Sequence, residues 1–268
     1  MRKILILATS AVLLLAACSD SNDDGTTGTT GAGGGSGGAE AELTVSAASS
    51  LTAAFGKIGN AFEAANPGTT VAFNFGPSDG LAEAKTSTGA PSSIWPASPT
   101  WMDSVQDDGP GVTDRADFAQ NRLAIIVPAD NPAGIENLDD LTEDGVQLVI
   151  AAEGVPAGDY AREIFKNAGI SKAAMANVVS NEEDVKAVIT KVMSGDADDG
   201  IGYVTDVTPD VADRVTLIPI PDDVNVIATY PIAVVNGSRE ADLAQGFVDY
   251  VLGDGQQTLA EYGFLPPP

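Results

Sequence analysis

The stretch Val45-Ser46-Ala47-Ala48-Ser49-Ser50-Leu51-Thr52 joins a short apolar strand, residues 43–47, to an amphipathic helix. The helix is predicted over residues 51–65, because Leu51, Ala54, Phe55, Ile58 and Phe62 recur on one helical face. Ser49 and Ser50 lie where the strand ends and the helix begins. A serine there can cap the helix, and the same place can bind an anion, because free backbone N–H groups and the positive end of the helix dipole point outward. For one junction alone, both interpretations stay open.

The same kind of junction recurs downstream. The alternating residues 70–75 predict a strand, and Gly76-Pro77-Ser78-Asp79-Gly80 then leads into a helical stretch from Leu81. A buried strand at 147–152 precedes Gly154-Val155-Pro156-Ala157-Gly158 and another helix. A third case is the capping-box spacing of Ser180 and Glu183 before a helix that contains Val185.

Strands that alternate with helices predict an α/β fold with largely parallel sheets. Ligands of such sheets lie at the carboxyl ends of the strands, next to helix N-termini. The repeated junctions therefore favour an anion site over a set of unrelated caps. The glycine-bearing strand Asp199–Tyr203 adds a phenol, which can donate one hydrogen bond.

The pentapeptide 76–80 also matches the Gly-x-Ser-x-Gly elbow of serine hydrolases. The 268 residues contain no histidine, so the usual general base for a nucleophilic serine is missing. An exported serine hydrolase therefore stays only as a disfavoured alternative, and the chain is predicted not to be an enzyme. The lack of histidine also removes the usual zinc and copper sites, so neither a cation site nor a cofactor is expected.

The composition is strongly acidic, with 38 Asp and Glu against 13 Lys and Arg and a net charge of −25. Nucleic-acid binding needs basic patches, so nucleic acid is not an expected partner. A small anion is still compatible with this charge if local dipoles hold it.

The N-terminus predicts export. A basic start, Met1-Arg2-Lys3, precedes the apolar residues 4–15, and Leu15-Ala16-Ala17-Cys18 resembles a bacterial lipobox. This predicts a signal peptide over 1–17, a lipid on Cys18, and a flexible linker rich in Gly, Ser and Thr over 18–42. The alternative is ordinary secretory cleavage with an incidental cysteine. Because Cys18 is the only cysteine, an internal disulfide is excluded.

An ordered set of short segments spans about residues 43–265, and no single one of them is specific. They are Ala47-Ala48-Ser49-Ser50-Leu51-Thr52, Gly89-Ala90-Pro91, Trp101-Met102-Asp103, Val155-Pro156-Ala157-Gly158, Glu183-Asp184-Val185, Gly200-Ile201-Gly202-Tyr203, Tyr230-Pro231-Ile232-Ala233-Val234-Val235 and Tyr262-Gly263-Phe264. Together, these segments resemble the extracytoplasmic molybdate-binding proteins of ABC transporters.

The resemblance implies a two-lobed α/β fold of the type 2 periplasmic-binding-protein kind, with an anion in the cleft between the lobes. Lobe one would be residues 43–122 plus 230–268, and lobe two residues 123–229. The implied ligand groups are the hydroxyls of Ser50 and Ser78, the backbone N–H groups of Ala157 and Val185, and the hydroxyl of Tyr203.

The resemblance also implies a function. The protein would be a monomer held at the outer face of the cell membrane by its lipid, and it would deliver molybdate or tungstate to an ABC permease. A receptor for another oxyanion such as sulfate is the alternative with the same fold. Molybdate and tungstate are not distinguished, since both are tetrahedral dianions of nearly equal size.

Two residues depart from the family pattern. Asp79 follows Ser78, where the family has a small or hydroxyl residue, and Ser93 stands where the family has an aspartate. A carboxylate that faced the site would repel a dianion and could accept the proton of phosphate. Whether Asp79 points away from the ligand or toward it stays open.

Overall fold

The computed structural model describes residues 41–88 and 93–268. The predicted signal peptide, Cys18, most of the predicted linker and the Gly89-Ala90-Pro91 segment lie outside the described residues. The first strand begins at Ala41, so the last two residues of the predicted linker 18–42 belong to a strand. Within the described ranges, no helix combines the length and the hydropathy that a membrane span needs.

Strands and helices alternate along the described ranges. The strands are β1 (Ala41–Ala48), β2 (Thr69–Gly76), β3 (Val112–Pro128), β4 (Leu148–Ala151), β5 (Val178–Glu182), β6 (Asp199–Tyr203), β7 (Val215–Pro219) and β8 (Ile227–Val235). The helices are α1 (Thr52–Ala65), α2 (Ser78–Thr88), α3 (Pro99–Asp107), α4 (Pro156–Asn167), α5 (Ser171–Ala176), α6 (Val185–Ser194), α7 (Ala241–Leu252) and α8 (Gly255–Glu261). The predicted helix 51–65 is α1, which follows a 3-10 turn at Ser49–Leu51.

The first sheet contains β1, β2, β8 and the beginning of β3. β1 and β2 are parallel, with Ala48 opposite Gly76. The apolar segment of residues 94–97 bridges β1 and β8: N–H groups of β1 donate to it, and its own N–H groups donate to β8. The carboxyl ends of β1 and β2 therefore lie side by side.

The second sheet has the strand order β5-β4-β6-β3-β7, and β3 belongs to both sheets. Residues Val112 to Arg122 of β3 pair with β8, whereas Leu123 to Pro128 pair with β6 and β7. With 17 residues, β3 is long enough to pair in both sheets. All described residues fall in one compact unit, and the division into lobes at the predicted residues stays a prediction.

The sheets are mixed, which corrects the expectation of largely parallel sheets. β4 is parallel to β5 and β6, but β3 is antiparallel to β6, β7 and β8. The hydrophobic pattern of a buried strand does not define the strand's direction, so the sequence does not distinguish parallel from antiparallel neighbours. The prediction of an α/β fold is otherwise confirmed.

The predicted cap at Ser180 is wrong. Ser180 lies in β5 and its hydroxyl donates to the carboxylate of Glu182, since the chain stays extended there to pair with β4. α6 begins at Val185, and its cap is Asp184, whose carboxylate accepts the Ala187 N–H at 2.9 Å.

A buried aromatic group holds α1 in place. The rings of Phe55 and Phe118 are 5.5 Å apart between centroids, and those of Phe62 and Phe247 are 5.1 Å apart. Edge-to-face pairs at these distances add to the stabilisation that comes from burial. They fix α1 against β3 and α7, and with it the turn that contains Ser50.

Candidate functional site

All five residues predicted to bind the ligand line one cavity of about 380 Å³, with its open mouth included. The lining residues are Ala48, Ser49, Ser50, Gly76, Pro77, Ser78, Ser98, Val155, Pro156, Ala157, Tyr160, Val185, Tyr203, Ala228, Thr229 and Tyr230. The structure thus brings together segments that are more than 100 residues apart in the chain.

Two serines reach the cavity from the neighbouring carboxyl ends of β1 and β2. Ser50 lies in the turn between β1 and α1, and Ser78 is the first residue of α2. The Ser78 side chain is buried, and no hydrogen bond joins its hydroxyl to another described residue. The hydroxyl of Ser78 is therefore available to a ligand in the cavity.

The N-terminus of α4 reaches the cavity with Ala157. Pro156 occupies the first helical position, where its missing N–H costs nothing. Among the described residues, no acceptor bonds the Ala157 N–H. Gly158 permits this arrangement, because a Cβ on it would lie 2.2 Å from the carbonyl oxygen of Ala152. The glycine lets α4 approach the end of β4 closely enough for its first N–H group to face the cavity.

The N-terminus of α6 contributes Val185 in the same way. The carboxylate of Asp184 caps the Ala187 N–H, while the Val185 N–H finds no acceptor within the described ranges. α6 packs closely on β6, since a Cβ on Gly200 would lie 2.7 Å from a methyl group of Val188. This close packing sets Val185 beside Tyr203, the last residue of β6.

Tyrosine hydroxyls form a network at the cavity. The Ser50 Oγ and the Tyr230 hydroxyl are 3.1 Å apart, and the rings of Tyr203 and Tyr230 meet edge to face at 6.2 Å. Burial, followed by the neighbouring Tyr230 and Tyr160, raises the pKa of Tyr203 well above its usual value. Burial likewise raises the pKa of Tyr230. Both phenols therefore keep their protons and can donate hydrogen bonds.

None of the lining residues carries an ionisable acid or a basic group that would be charged at neutral pH. Lys186, next to Val185 in the chain, donates instead to the hydroxyl of Thr52 at 2.5 Å. Asp79 does not line this cavity. It lines a different one, together with Glu83, Trp101 and other residues, as expected for a carboxylate that points away from the ligand. The site therefore offers N–H and O–H donors without a formal charge.

Several lining residues were not predicted from the sequence, and of these Ser98, Tyr160 and Tyr230 bring hydroxyl groups. Tyr230 stood in a segment of the resemblance but received no role. Ser98 precedes Pro99 at the start of a helix, which is the same signal that singled out Ser50, and it could have been found by applying that rule throughout. Tyr160 lay on a predicted helix face and gave no signal of its own.

Two contacts join the segments around the cavity. The indole N–H of Trp101 in α3 donates to the carbonyl oxygen of Gly154, just before α4, at 3.1 Å. The Lys186–Thr52 bond joins α6 to α1. Within the described ranges, no three His, Cys, Asp or Glu side chains lie close enough to hold a metal ion.

Comparison with known proteins gives a family and a fold. A family model described as bacterial extracellular solute-binding protein matches residues 43–265. The molybdate-binding protein ModA of Mycobacterium tuberculosis is 36% identical over 226 residues, which cover 84% of this chain and 85% of that protein. The resemblance that the sequence analysis stated is therefore confirmed.

Two solved structures share the fold. The sulfate-binding protein SubI of Mycobacterium tuberculosis has a TM-score of 0.74 at 17% identity, over 84% of this chain and 87% of that chain. The periplasmic molybdate-binding protein of Azotobacter vinelandii has a TM-score of 0.71 at 17% identity, over 84% of this chain and 100% of that chain. At this identity they show the fold alone, and the predicted periplasmic-binding-protein-like α/β fold is confirmed.

Proposed function

The chain belongs to the bacterial extracellular solute-binding proteins, and we propose that it captures molybdate or tungstate outside the cytoplasm and delivers it to an ABC permease. The observation that carries this proposal is the cavity itself, in which the five groups expected to bind the oxyanion come together. The 36% identity to a molybdate-binding protein supports the same ligand. In this proposal the oxyanion is the transported ligand and no cofactor takes part.

Each of the five groups would donate one hydrogen bond to the oxyanion. Ser50 and Ser78 would donate their hydroxyls, Tyr203 its phenol, and Ala157 and Val185 their backbone N–H groups. The two N–H groups stand at helix N-termini, where the helix dipole favours an anion. A hydrogen bond to a charged acceptor contributes roughly 1.5–3 kcal/mol after the exchange with water is counted, so a few such donors together can bind the anion.

A donor-only site favours a fully deprotonated tetrahedral dianion. Phosphate near pH 7 still carries a proton, and that proton needs an acceptor. Asp79, the acidic departure from the family pattern, lines another cavity, which supports its absence from this role. We therefore expect molybdate and tungstate to bind, and phosphate to fail.

We also propose that the protein works as two lobes, residues 43–122 plus 230–268 and residues 123–229, which close on the ligand. The Trp101–Gly154 and Lys186–Thr52 bonds each join one proposed lobe to the other beside the cavity, which supports closure. The strong negative charge disfavours self-association and supports a monomer.

The lipid anchor on Cys18 is a separate proposal, supported by the lone cysteine at the end of an apolar signal core. Cys18→Ser should release the protein into the medium or leave it unprocessed, which fractionation of producing cells would detect. Firm membrane attachment of a processed Cys18→Ser variant would contradict the anchor.

Thermal unfolding with a panel of oxyanions tests the proposed ligand. Molybdate, tungstate, sulfate and phosphate are added separately at one ionic strength. A ligand at about 100 times its Kd adds roughly 2.7 kcal/mol to the free energy of unfolding, so tight binders raise the melting temperature clearly. We expect a rise with molybdate and tungstate. A larger rise with sulfate would make the protein a sulfate receptor, and no rise with any of the four would refute an oxyanion receptor.

A further inference from the structure

Ser98 lines the cavity and has a buried hydroxyl without a hydrogen-bond partner among the described residues. The residue is only 7% exposed, and within the described ranges no group bonds its Oγ. It lines the same cavity as Ser50, Ser78 and Tyr203. An unpartnered buried hydroxyl is costly, so a polar ligand in the cavity is the natural partner for it.

Helix capping, the ordinary use of such a serine, does not account for Ser98. The residue is the N-cap of α3 and has the extended backbone of a cap, with φ −75° and ψ 157°. A capping serine accepts a hydrogen bond from an N–H of the first turn. The Ser98 side chain makes no such bond.

The backbone around Ser98 is held on three sides. The Ala97 N–H donates to the carbonyl oxygen of Pro231 at 3.2 Å, and the carbonyl oxygen of Pro96 accepts the Ala48 N–H at 3.1 Å. The carbonyl oxygen of Ser98 itself accepts the Met102 N–H at 2.9 Å. These bonds fix the backbone of Ser98 at the end of β1, beside the cavity that the residue lines.

We propose that Ser98 Oγ donates a further hydrogen bond to the bound oxyanion, in addition to the five donors named above. This inference rests on the proposed function. A tetrahedral dianion presents four oxygens with several lone pairs each, so five donors leave acceptor sites free. Ser98 approaches from the segment between β1 and β8, which supplies none of the other five donors, and it therefore restrains the anion from a new direction.

Calorimetric titration of Ser98→Ala with molybdate tests the proposal. Loss of one hydrogen bond to a charged acceptor should weaken the Kd by about 10- to 150-fold. The ligand-free variant should melt at the same temperature as the wild type or higher, because an unpartnered hydroxyl has been removed. A serine that merely supported the helix would give the opposite pattern, with a lower melting temperature and an unchanged Kd.

Ser238→Ala is the matched control. The Ser238 Oγ is likewise buried and unpartnered, but the residue does not line the cavity. This variant should keep the wild-type Kd and lose no stability. An unchanged Kd in Ser98→Ala would overturn the role of Ser98 while leaving the proposed function intact. If the wild type binds none of the four oxyanions, both proposals fail, and if it prefers sulfate or tungstate, that ion replaces molybdate in the titrations.

Discussion

Ser50→Ala removes the hydroxyl that lies 3.1 Å from the phenol of Tyr230. If the Tyr230 O–H donates to Ser50 Oγ, the hydrogen of Ser50 is free to donate to the anion. The phenol then fixes the direction in which the serine donates. Tyr230 is itself held in place by burial and by edge-to-face packing on Phe118 and Phe264.

The two side chains should contribute unequally to binding. Ser50→Ala loses a hydrogen bond to a charged acceptor, worth roughly 1.5–3 kcal/mol, so the molybdate Kd should weaken by about 10- to 150-fold. Tyr230→Phe loses a bond between neutral groups, worth roughly 0.5–1.5 kcal/mol, so the Kd should weaken by about 2- to 13-fold. In the Ser50→Ala background the phenol has no serine to orient, and Tyr230→Phe should then cost little.

Titration calorimetry on the wild type, both single variants and the double variant measures this coupling. The control is Tyr250→Phe, since Tyr250 packs on Phe62 and does not line the cavity. Unchanged affinity in Ser50→Ala would refute the assignment of Ser50 as a ligand. Strictly additive effects of Ser50→Ala and Tyr230→Phe would refute the idea that the phenol orients the serine, because residues in direct contact should couple.

Three further predictions concern single positions. Burial raises the pKa of Asp199 to about 8, so the folded protein holds a proton that the unfolded chain releases above its usual pKa of about 4. The free energy of unfolding should therefore fall as the pH rises from about 4 to about 8. In Asp199→Asn, urea unfolding should show no such fall, because the amide does not titrate. Phosphate should not displace molybdate from the wild type or from Asp79→Ser in competition titrations; competition that only the wild type shows would mean that Asp79 faces the ligand. Gly158→Ala should lower the melting temperature and weaken molybdate binding at least tenfold, because its Cβ would press on the carbonyl oxygen of Ala152 and displace the Ala157 N–H. Gly246→Ala is the control, because its added Cβ meets nothing within 4 Å. Its melting temperature and its molybdate Kd should stay at the wild-type values.

The positions of the strand-to-helix junctions could be predicted from the sequence because each has a local cause. Apolar alternation ends, a serine, proline or glycine follows, and a helical period begins. Ser50, Ser78 and Ala157 were found in this way before the resemblance assigned them a ligand. Their meeting at one cavity follows from the general rule that such junctions gather at the carboxyl ends of neighbouring strands.

The parts that could not be predicted depend on long-range pairing. No local pattern indicates that β3 changes partners between Arg122 and Leu123. The Ser180 spacing matched a capping box, but pairing with β4 kept that segment extended and moved the cap to Asp184. Tyr230 gave no signal because its role depends on a partner 180 residues away in the chain.

The lack of charged lining residues bears on how an acidic protein can both hold and release a dianion. A lysine about 4 Å from a single negative charge would contribute roughly 4 kcal/mol at an effective dielectric constant of 20, and more for a dianion. Such a pair would bind tightly but would slow the release that delivery to a permease requires. Neutral donors bind through directed hydrogen bonds, each of which weakens steeply when the donor moves away. The donors lie on different segments around the cavity, such as Ser50 at the end of β1 and Val185 at the start of α6. Their hydrogen bonds to the anion therefore break when those segments separate. If the protein works as the two proposed lobes, the Trp101–Gly154 and Lys186–Thr52 bonds must break before those segments part, and they therefore oppose release.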